Sequence, residues 1–173
     1  QVGLRVGPIT AACDHIEIEL SGPGGHTARP HMTVDLVYAL GLVITQLPGL
    51  LSRRADPRAA LSLVWGAVDG GLAINAIPSS GCVKGTLRVL DRTAWQGAEP
   101  LLRELVERVI APTGAKAAIS YVRGVPPVVN SADAVAVQRT AVLSGLGPAA
   151  LAQTVQSMGG EDFAWYLEHV PGA

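Results

Sequence analysis

The chain has 173 residues, of which 49% are hydrophobic and 16% charged, and its formal net charge is −1. This composition supports a folded core and argues against long disorder, a nucleic-acid partner and an electrostatic membrane surface. The longest apolar run, residues 36–44, is too short to span a bilayer. We therefore expect no nucleic-acid partner and no membrane partner. The expected compartment is the cytoplasm, although any targeting signal would lie upstream of these residues.

A half-buried strand is the first clear pattern. Residues 1–12 indicate only a short strand or loop, whereas residues 14–20 alternate strictly between apolar and polar side chains. The alternation predicts one face formed by Ile16, Ile18 and Leu20 and an opposite face formed by His15, Glu17 and Glu19.

The loop after this strand contains several glycines followed by side chains that can bind or react. Glycines at positions 22, 24 and 25 allow positive φ and close approach to another surface. His26, Arg29 and His31 follow within six residues. A loop that only joined two elements would not require these side chains, although a solvated Gly/Pro turn would look the same.

The sequence after this loop predicts two helices and three more strands. Residues 34–47 are apolar almost all round, and Pro48 should stop or kink that helix. Residues 93–110 carry an amphipathic stripe, and their regular part could begin only at Pro100. The further strands are predicted at residues 60–68, 82–90 and 116–122.

The order strand, helix, strand, strand, helix, strand predicts an α+β fold. It corresponds to a ferredoxin-like four-stranded antiparallel sheet with two helices on one face. The other face would then carry polar side chains, namely His15, Glu17, Lys84, Thr86 and Arg88. Cys13 and Cys82 show no disulfide or metal spacing, and we interpret both as small buried residues.

The last part of the chain has a different residue pattern. Residues 124–130 form an extended, linker-like run, and Ser131 can cap a helix to about residue 143. A Gly-rich turn at residues 155–162 then places Glu161 and Asp162 at the start of a short helix. This segment has too little apolar pattern for a core of its own, so we expect it to pack on something outside the chain.

A complete metal site is not expected within the chain. The four histidines, His15, His26, His31 and His169, lack the i,i+4 helical spacing of a zincin. No Gly-x-Ser-x-Gly nucleophile pattern is present either. Neither end of the chain has the features of a natural terminus, which suggests a fragment.

Four motifs together resemble one family. They are Gly-Gly-His-Thr-Ala-Arg-Pro-His at 24–31, Asn-Ala-Ile-Pro at 75–78, Gly-Thr-Leu-Arg at 85–88 and Met-Gly-Gly-Glu-Asp-Phe at 158–163. In this order and approximate spacing the chain resembles the dinuclear-metal amidohydrolases and peptidases. That family includes aminoacylases, hippurate hydrolases, auxin-conjugate hydrolases and succinyl-diaminopimelate desuccinylase.

The resemblance implies a two-domain enzyme that hydrolyses the amide bond of N-acyl amino acids or related conjugates. Residues 1–12 would end a first catalytic-domain segment, residues 13–122 would form a dimerisation lid, and residues 123–173 would be part of an α/β catalytic return segment. Two divalent metals, zinc or else manganese or cobalt, would act in the full-length enzyme. Their ligands and the general base would lie outside this chain, which alone would bind no metal and be inactive.

The resemblance also assigns three site residues. His26 would reach into the partner subunit of a homodimer and stabilise the oxyanion of the tetrahedral intermediate. Asn75 would bind substrate near that oxyanion, and Arg88 would bind the free carboxylate of the small-molecule amide. Without the family, Asn75 could be a turn residue and Arg88 an ordinary strand residue.

Other interpretations remain open at this point. Glu161 and Asp162 could be favourable charges at a helix N-terminus, and His31 could only shape its loop. The chain could also be a non-catalytic ferredoxin-like dimerisation or small-molecule-binding module, or an inactive relative that keeps only the scaffold. Metal-ligand motifs in the flanking coding sequence would separate these alternatives.

Overall fold

The computed structural model describes all of residues 1–173. Its strands and α-helices are, in chain order, β1 (Val2–Leu4), β2 (Gly7–Thr10), β3 (Ala12–Ser21), β4 (Gly25–His26), α1 (Leu36–Arg54), β5 (Ser62–Asp69), β6 (Ala76–Ile77), β7 (Ser80–Val89), α2 (Arg92–Ile110), β8 (Lys116–Val125), β9 (Val128–Asn130), α3 (Ala132–Leu146), β10 (Leu151–Gln153) and α4 (Ala164–Leu167).

The central feature is an antiparallel sheet with the strand order β5-β7-β3-β8. This confirms the predicted four-stranded antiparallel sheet and the predicted alternation of strands and helices. Helices α1 and α2 contact each other and share one hydrophobic core with the inner face of the sheet. We call β3, α1, β5, β7, α2 and β8 together the four-stranded unit.

The core of this unit lies between the helices and the sheet. Ile16, Ile18 and Leu20 are buried in it, as the alternation in the first strand predicts. Cys13 and Cys82 were expected to be buried but are only half-buried. They alternate with inward-facing neighbours along β3 and β7, so they lie on the outer face.

Helix α1 does not stop at Pro48 but continues to Arg54. Proline lacks the N–H that would bond the carbonyl of Ile44, one turn earlier. The indole Nε1 of Trp65 on β5 donates to that carbonyl over 3.2 Å and takes the place of the missing bond. The sequence could not predict the continuation because its cause lies on another strand.

A similar side-chain hydrogen bond explains why the second helix continues through its proline. Helix α2 begins at Arg92, with the Asp91 carboxylate accepting from the backbone N–H of Ala94, rather than at Pro100. The carbonyl of Gln96, which Pro100 cannot bond, accepts from Nη2 of Arg123 over 2.9 Å. Both helices therefore run through their prolines.

Helix α1 is longer than the apolar run that precedes Pro48. By length and composition alone its 19 residues could cross a membrane. However, Leu36, Val43, Leu47 and Leu51 are fully buried in the core of the four-stranded unit. Their burial accounts for this part of the apolar composition, whereas Val37 and Tyr38 of the same helix are exposed.

Apart from β4 and β6, the remaining elements form two small two-stranded sheets and the helices α3 and α4. Strand β1 pairs in parallel with β10, and β2 pairs antiparallel with β9. In helix α3 only Val135 is buried. Large apolar side chains in this part of the chain remain exposed, namely Val137, Leu143, Leu146, Val155 and Val170.

Candidate functional site

A two-residue ladder brings the first two motifs together. His26 on β4 pairs with Ala76 on β6, and Gly25 pairs with Ile77. His26 on β4 therefore lies near Asn75, which is in the turn just before β6, at the end of the sheet where β3 finishes and β7 begins. Both residues are exposed. The structure thus places two of the three predicted site residues next to each other.

A backbone hydrogen bond determines which ring nitrogen of neutral His26 carries the proton. Its Nδ1 accepts a hydrogen bond from the backbone N–H of Ala28 over 3.0 Å. In the neutral ring the proton therefore lies on Nε2, because Nδ1 must present a lone pair. Nε2 has no hydrogen-bond partner in the chain, so it is a free donor of the kind that stabilises an oxyanion.

The glycines of this loop are required by close approach. A Cβ on Gly24 would lie 2.5 Å from the carbonyl oxygen of Ile77, and one on Gly25 would lie 2.6 Å from Cγ2 of Thr33. None of the glycines between residues 22 and 25 has positive φ. The loop therefore depends on missing side chains rather than on a left-handed backbone.

Asn75 is positioned through its main chain. Its carbonyl accepts from the backbone N–H of Thr27 over 3.2 Å and from the Thr27 hydroxyl over 3.3 Å. Its side-chain amide makes no hydrogen bond in the chain and remains available. His31 lies in an exposed 3₁₀ turn and forms no side-chain hydrogen bond, so it is not part of this pairing.

Arg88 lies elsewhere. It is on the outer face of β7, opposite Cys13, and its Nη1 donates to the carbonyl of Met158 over 2.6 Å. From Ser80, at the end of β7 near His26, to Arg88 the strand extends about 26 Å. The chain therefore brings His26 and Asn75 together but keeps Arg88 at the opposite end of the sheet.

Arg88 instead faces the fourth motif. The turn around Met158 packs on the outer face of the sheet, where a Cβ on Gly160 would lie 3.1 Å from Cβ of Cys13. Glu161 and Asp162 are exposed in this turn, and the Glu161 carboxylate accepts only from the N–H of Phe163, over 3.4 Å. The third and fourth motifs thus meet within one chain.

The outer face also carries a charged pair. Nζ of Lys84 lies 2.9 Å from the Glu17 carboxylate, which also accepts from the Cys82 thiol. The hydrogen bond from Lys84 lowers the pKa of Glu17 and, reciprocally, raises the pKa of Lys84. Burial, followed by the nearby Glu17 carboxylate, raises the pKa of the Cys82 thiol, so this cysteine is a poor nucleophile.

Sequence reasoning missed the only buried charged residue, Asp14. Its carboxylate is fully buried and accepts from Nε1 of Trp95 at 2.9 Å, from the backbone N–H of Gly124 at 3.0 Å and from the Tyr121 hydroxyl. Burial, followed by this carboxylate, raises the pKa of Tyr121. The available signal was its place two residues before Ile16, on the apolar side of the alternation.

The chain does not contain a metal centre of its own. No group of three or more His, Cys, Asp or Glu side chains is arranged to hold a metal ion. The residues present therefore do not fit the two-metal centre that the resemblance implies. Such a centre requires ligands from outside residues 1–173.

Comparison with curated proteins gives several relatives, although no family model matches the chain. The chain is 47% identical, over its full length, to a Rhodococcus jostii protein named a glutamate–cysteine ligase, of which it covers 22%. It is 32% identical to N-acetyl-L-cysteine deacetylase of Bacillus subtilis, covering 99% of the chain and 41% of the relative. It is 31% identical to an IAA-amino acid hydrolase of Arabidopsis thaliana, covering 97% and 39%.

Two solved structures superpose on the chain. An aminohydrolase from methicillin-resistant Staphylococcus aureus superposes with a TM-score of 0.89 at 23% identity, covering 100% of this chain and 45% of that one. A dinuclear metal-binding peptidase of the M20 family from Bacillus subtilis superposes with a TM-score of 0.76 at 27% identity, covering 98% and 41%.

The chain spans less than half the length of each of these relatives, from 22% to 45%. The ligase name belongs to a protein most of which lies outside the matched region. The deacetylase, the IAA-amino acid hydrolase and the M20 peptidase all match along nearly the whole chain, in agreement with the four motifs. The chain therefore matches, along nearly its whole length, part of the amidohydrolases and dinuclear-metal peptidases, among them the M20 peptidase.

Proposed function

We propose that this chain is part of a longer metal-dependent amidohydrolase that cleaves the amide bond of N-acyl amino acids or related conjugates. The deacetylase and IAA-amino acid hydrolase relatives support this reaction class. N-acetyl-L-cysteine is the first substrate to assay because two relatives from Bacillus subtilis are named for its deacetylation. Two divalent metals, zinc or else manganese or cobalt, would be held by ligands outside the chain, and the enzyme would work in the cytoplasm.

The four-stranded unit would serve as a dimerisation lid at about residues 13–122, between catalytic-domain segments at residues 1–12 and 123–173. Its strand order and its two helices on one face fit a ferredoxin-like arrangement. Strand β5 is an edge strand with Val68 exposed, and Val37 and Tyr38 are exposed on α1. An unpaired edge beside exposed apolar side chains favours pairing with a second copy.

The observation that carries the dimeric mechanism is the distance between the predicted site residues. His26 and Asn75 lie at the end of the sheet where β7 begins at Ser80, and Ser80 is itself about 26 Å along the strand from Arg88. One small amide cannot bind all three residues of a single chain. Arg88 contacts the Met158 turn of its own chain, so His26 would act in the active site of the partner subunit.

Each residue would then have one role. Nε2 of His26 would donate a hydrogen bond to the oxyanion of the tetrahedral intermediate. The free amide of Asn75 would bind substrate beside it. Arg88 uses Nη1 on Met158 and keeps its other guanidinium donors for the carboxylate of the substrate. The metals would supply the activated water when bound.

The test is the activity of the full-length protein with added Zn²⁺, Mn²⁺ or Co²⁺ on N-acetyl and N-benzoyl amino acids. His26→Ala should lower kcat by about 10²–10³, as the loss of one oxyanion donor typically does. His31→Ala is the matched control, because His31 is exposed on the same loop and forms no hydrogen bond; its kcat should stay unchanged. A kcat of His26→Ala within a factor of two of wild type would refute the role of His26.

A further inference from the structure

The outer face of the sheet is organised in cross-strand layers. Arg88 is opposite Cys13 on β3 and Ser62 on β5. The next layer along the strands consists of one residue from each of the four strands, namely Val64, Thr86, His15 and Val122. Thr86, the β7 residue of this layer, is two residues from Arg88, about 7 Å along the strand.

Only one direction from Arg88 along the sheet is open. On the far side the backbone N–H of Ala11 donates to the carbonyls of Ser157 and Gly159, and in the Arg88 layer itself the turn at Gly160 packs closely against Cys13. On the other side His15 is exposed and Thr86 half-buried. Neither helix covers these two residues, because α1 and α2 pack on the opposite face of the sheet.

The layer has the chemistry of a small subsite. His15 and Thr86 are directly opposed, about 5 Å apart at Cβ, and neither side chain has a hydrogen-bond partner in the chain. Val64 and Val122 flank them and are 62% and 56% exposed. The layer thus offers hydrogen-bonding groups at its centre and apolar walls at both sides.

We propose that His15 and Thr86 form a specificity subsite for the side chain of the amino acid in the substrate. This inference rests on the proposed function of Arg88. An N-acyl amino acid carries three groups on its Cα: the carboxylate, the amide and the side chain. With the carboxylate on Arg88 and the amide held at the reacting centre, the side chain is the group free to lie along the sheet. The subsite selects side chains with a hydrogen-bonding tip.

The experiment measures kcat/KM of the metal-loaded full-length enzyme on N-acetyl-L-glutamine and N-acetyl-L-methionine, whose side chains have the same length. Wild type should favour glutamine. His15→Phe and Thr86→Val keep similar shapes without the hydrogen-bonding groups, and each should lower the glutamine-to-methionine ratio by about two- to tenfold. Glu19→Ala, on the same strand and face but two layers further from His15, should leave the ratio unchanged.

The outcomes separate this inference from the proposed function. If Arg88→Lys raises KM for both substrates while His15→Phe and Thr86→Val leave the ratio at its wild-type value, the subsite is refuted and the role of Arg88 stands. If wild type hydrolyses neither these two substrates nor any of the other N-acetyl and N-benzoyl amino acids, the proposed function itself is refuted. If Arg88→Lys has no effect on KM, the role of Arg88 and the subsite beside it are both refuted. A ratio that falls in both variants but not in Glu19→Ala supports the subsite.

Discussion

Replacing Asp14 with alanine should destabilise the protein more than any surface change. The buried carboxylate accepts from the indole of Trp95, the backbone of Gly124 and the hydroxyl of Tyr121. Each donor left buried without an acceptor costs about 1–3 kcal/mol. The half-buried Tyr121 hydroxyl can turn to water, so the two remaining donors should cost about 2–6 kcal/mol in total. That is a large part of the 5–15 kcal/mol by which proteins are typically stable.

Thermal unfolding of the full-length protein, followed by circular dichroism, measures this cost. The loss should lower Tm by about 10 °C for a protein of this size or larger. Asp14→Asn should be intermediate, because one side-chain oxygen still accepts while the amide N–H₂ opposes a neighbouring donor. Glu19→Ala is the control from the same strand. A shift below about 2 °C for Asp14→Ala, or an equal shift for Glu19→Ala, would refute the argument.

Two further predictions concern the same unit. Burial, followed by Asp14, raises the pKa of Tyr121, so its phenol stays protonated in the folded state at a pH where the unfolded phenol, with a pKa of 10.0, ionises. Stability should therefore fall above pH 10 by up to about 1.4 kcal/mol per pH unit. Tyr121→Phe should reduce this loss of stability above pH 10, measured by denaturant unfolding. An unchanged dependence of stability on pH would contradict the raised pKa of Tyr121. Trp65→Phe leaves the Ile44 carbonyl without a donor and should cost about 1–2 kcal/mol. Pro48→Ala restores the helical N–H and should recover most of that loss in a double-mutant cycle; strictly additive effects would contradict the compensation.

The order of elements in the four-stranded unit was predictable because it depends on local periodicity. Apolar residues alternate in β3 and recur at helical spacing in α2, and these periods decide which face is buried. Helix boundaries at Pro48 and Pro100 were not predictable. Each helix continues because a side chain distant in sequence, Trp65 or Arg123, bonds the carbonyl that the proline leaves free.

The composition of the candidate site stays a prediction. The motifs single out His26, Asn75 and Arg88, but they do not indicate which of these residues lie together. The pairing of β4 with β6 involves only two residues on each side and has no sequence signal of its own. Asp14 was missed because an acidic residue in an alternating strand is normally assigned to the solvent face, and only its three donors make burial tolerable.

The central claim is that His26 serves the partner subunit while Arg88 serves its own. Mixing the separately inactive His26→Ala and Arg88→Ala full-length proteins, with subunit exchange, tests it directly. A mixed dimer would then have one site with both residues intact and one with neither. We predict recovery of about a quarter of the wild-type rate, because half of the dimers in a random mixture are mixed and each has one working site of two. No recovery, once subunit exchange is demonstrated, would contradict the account.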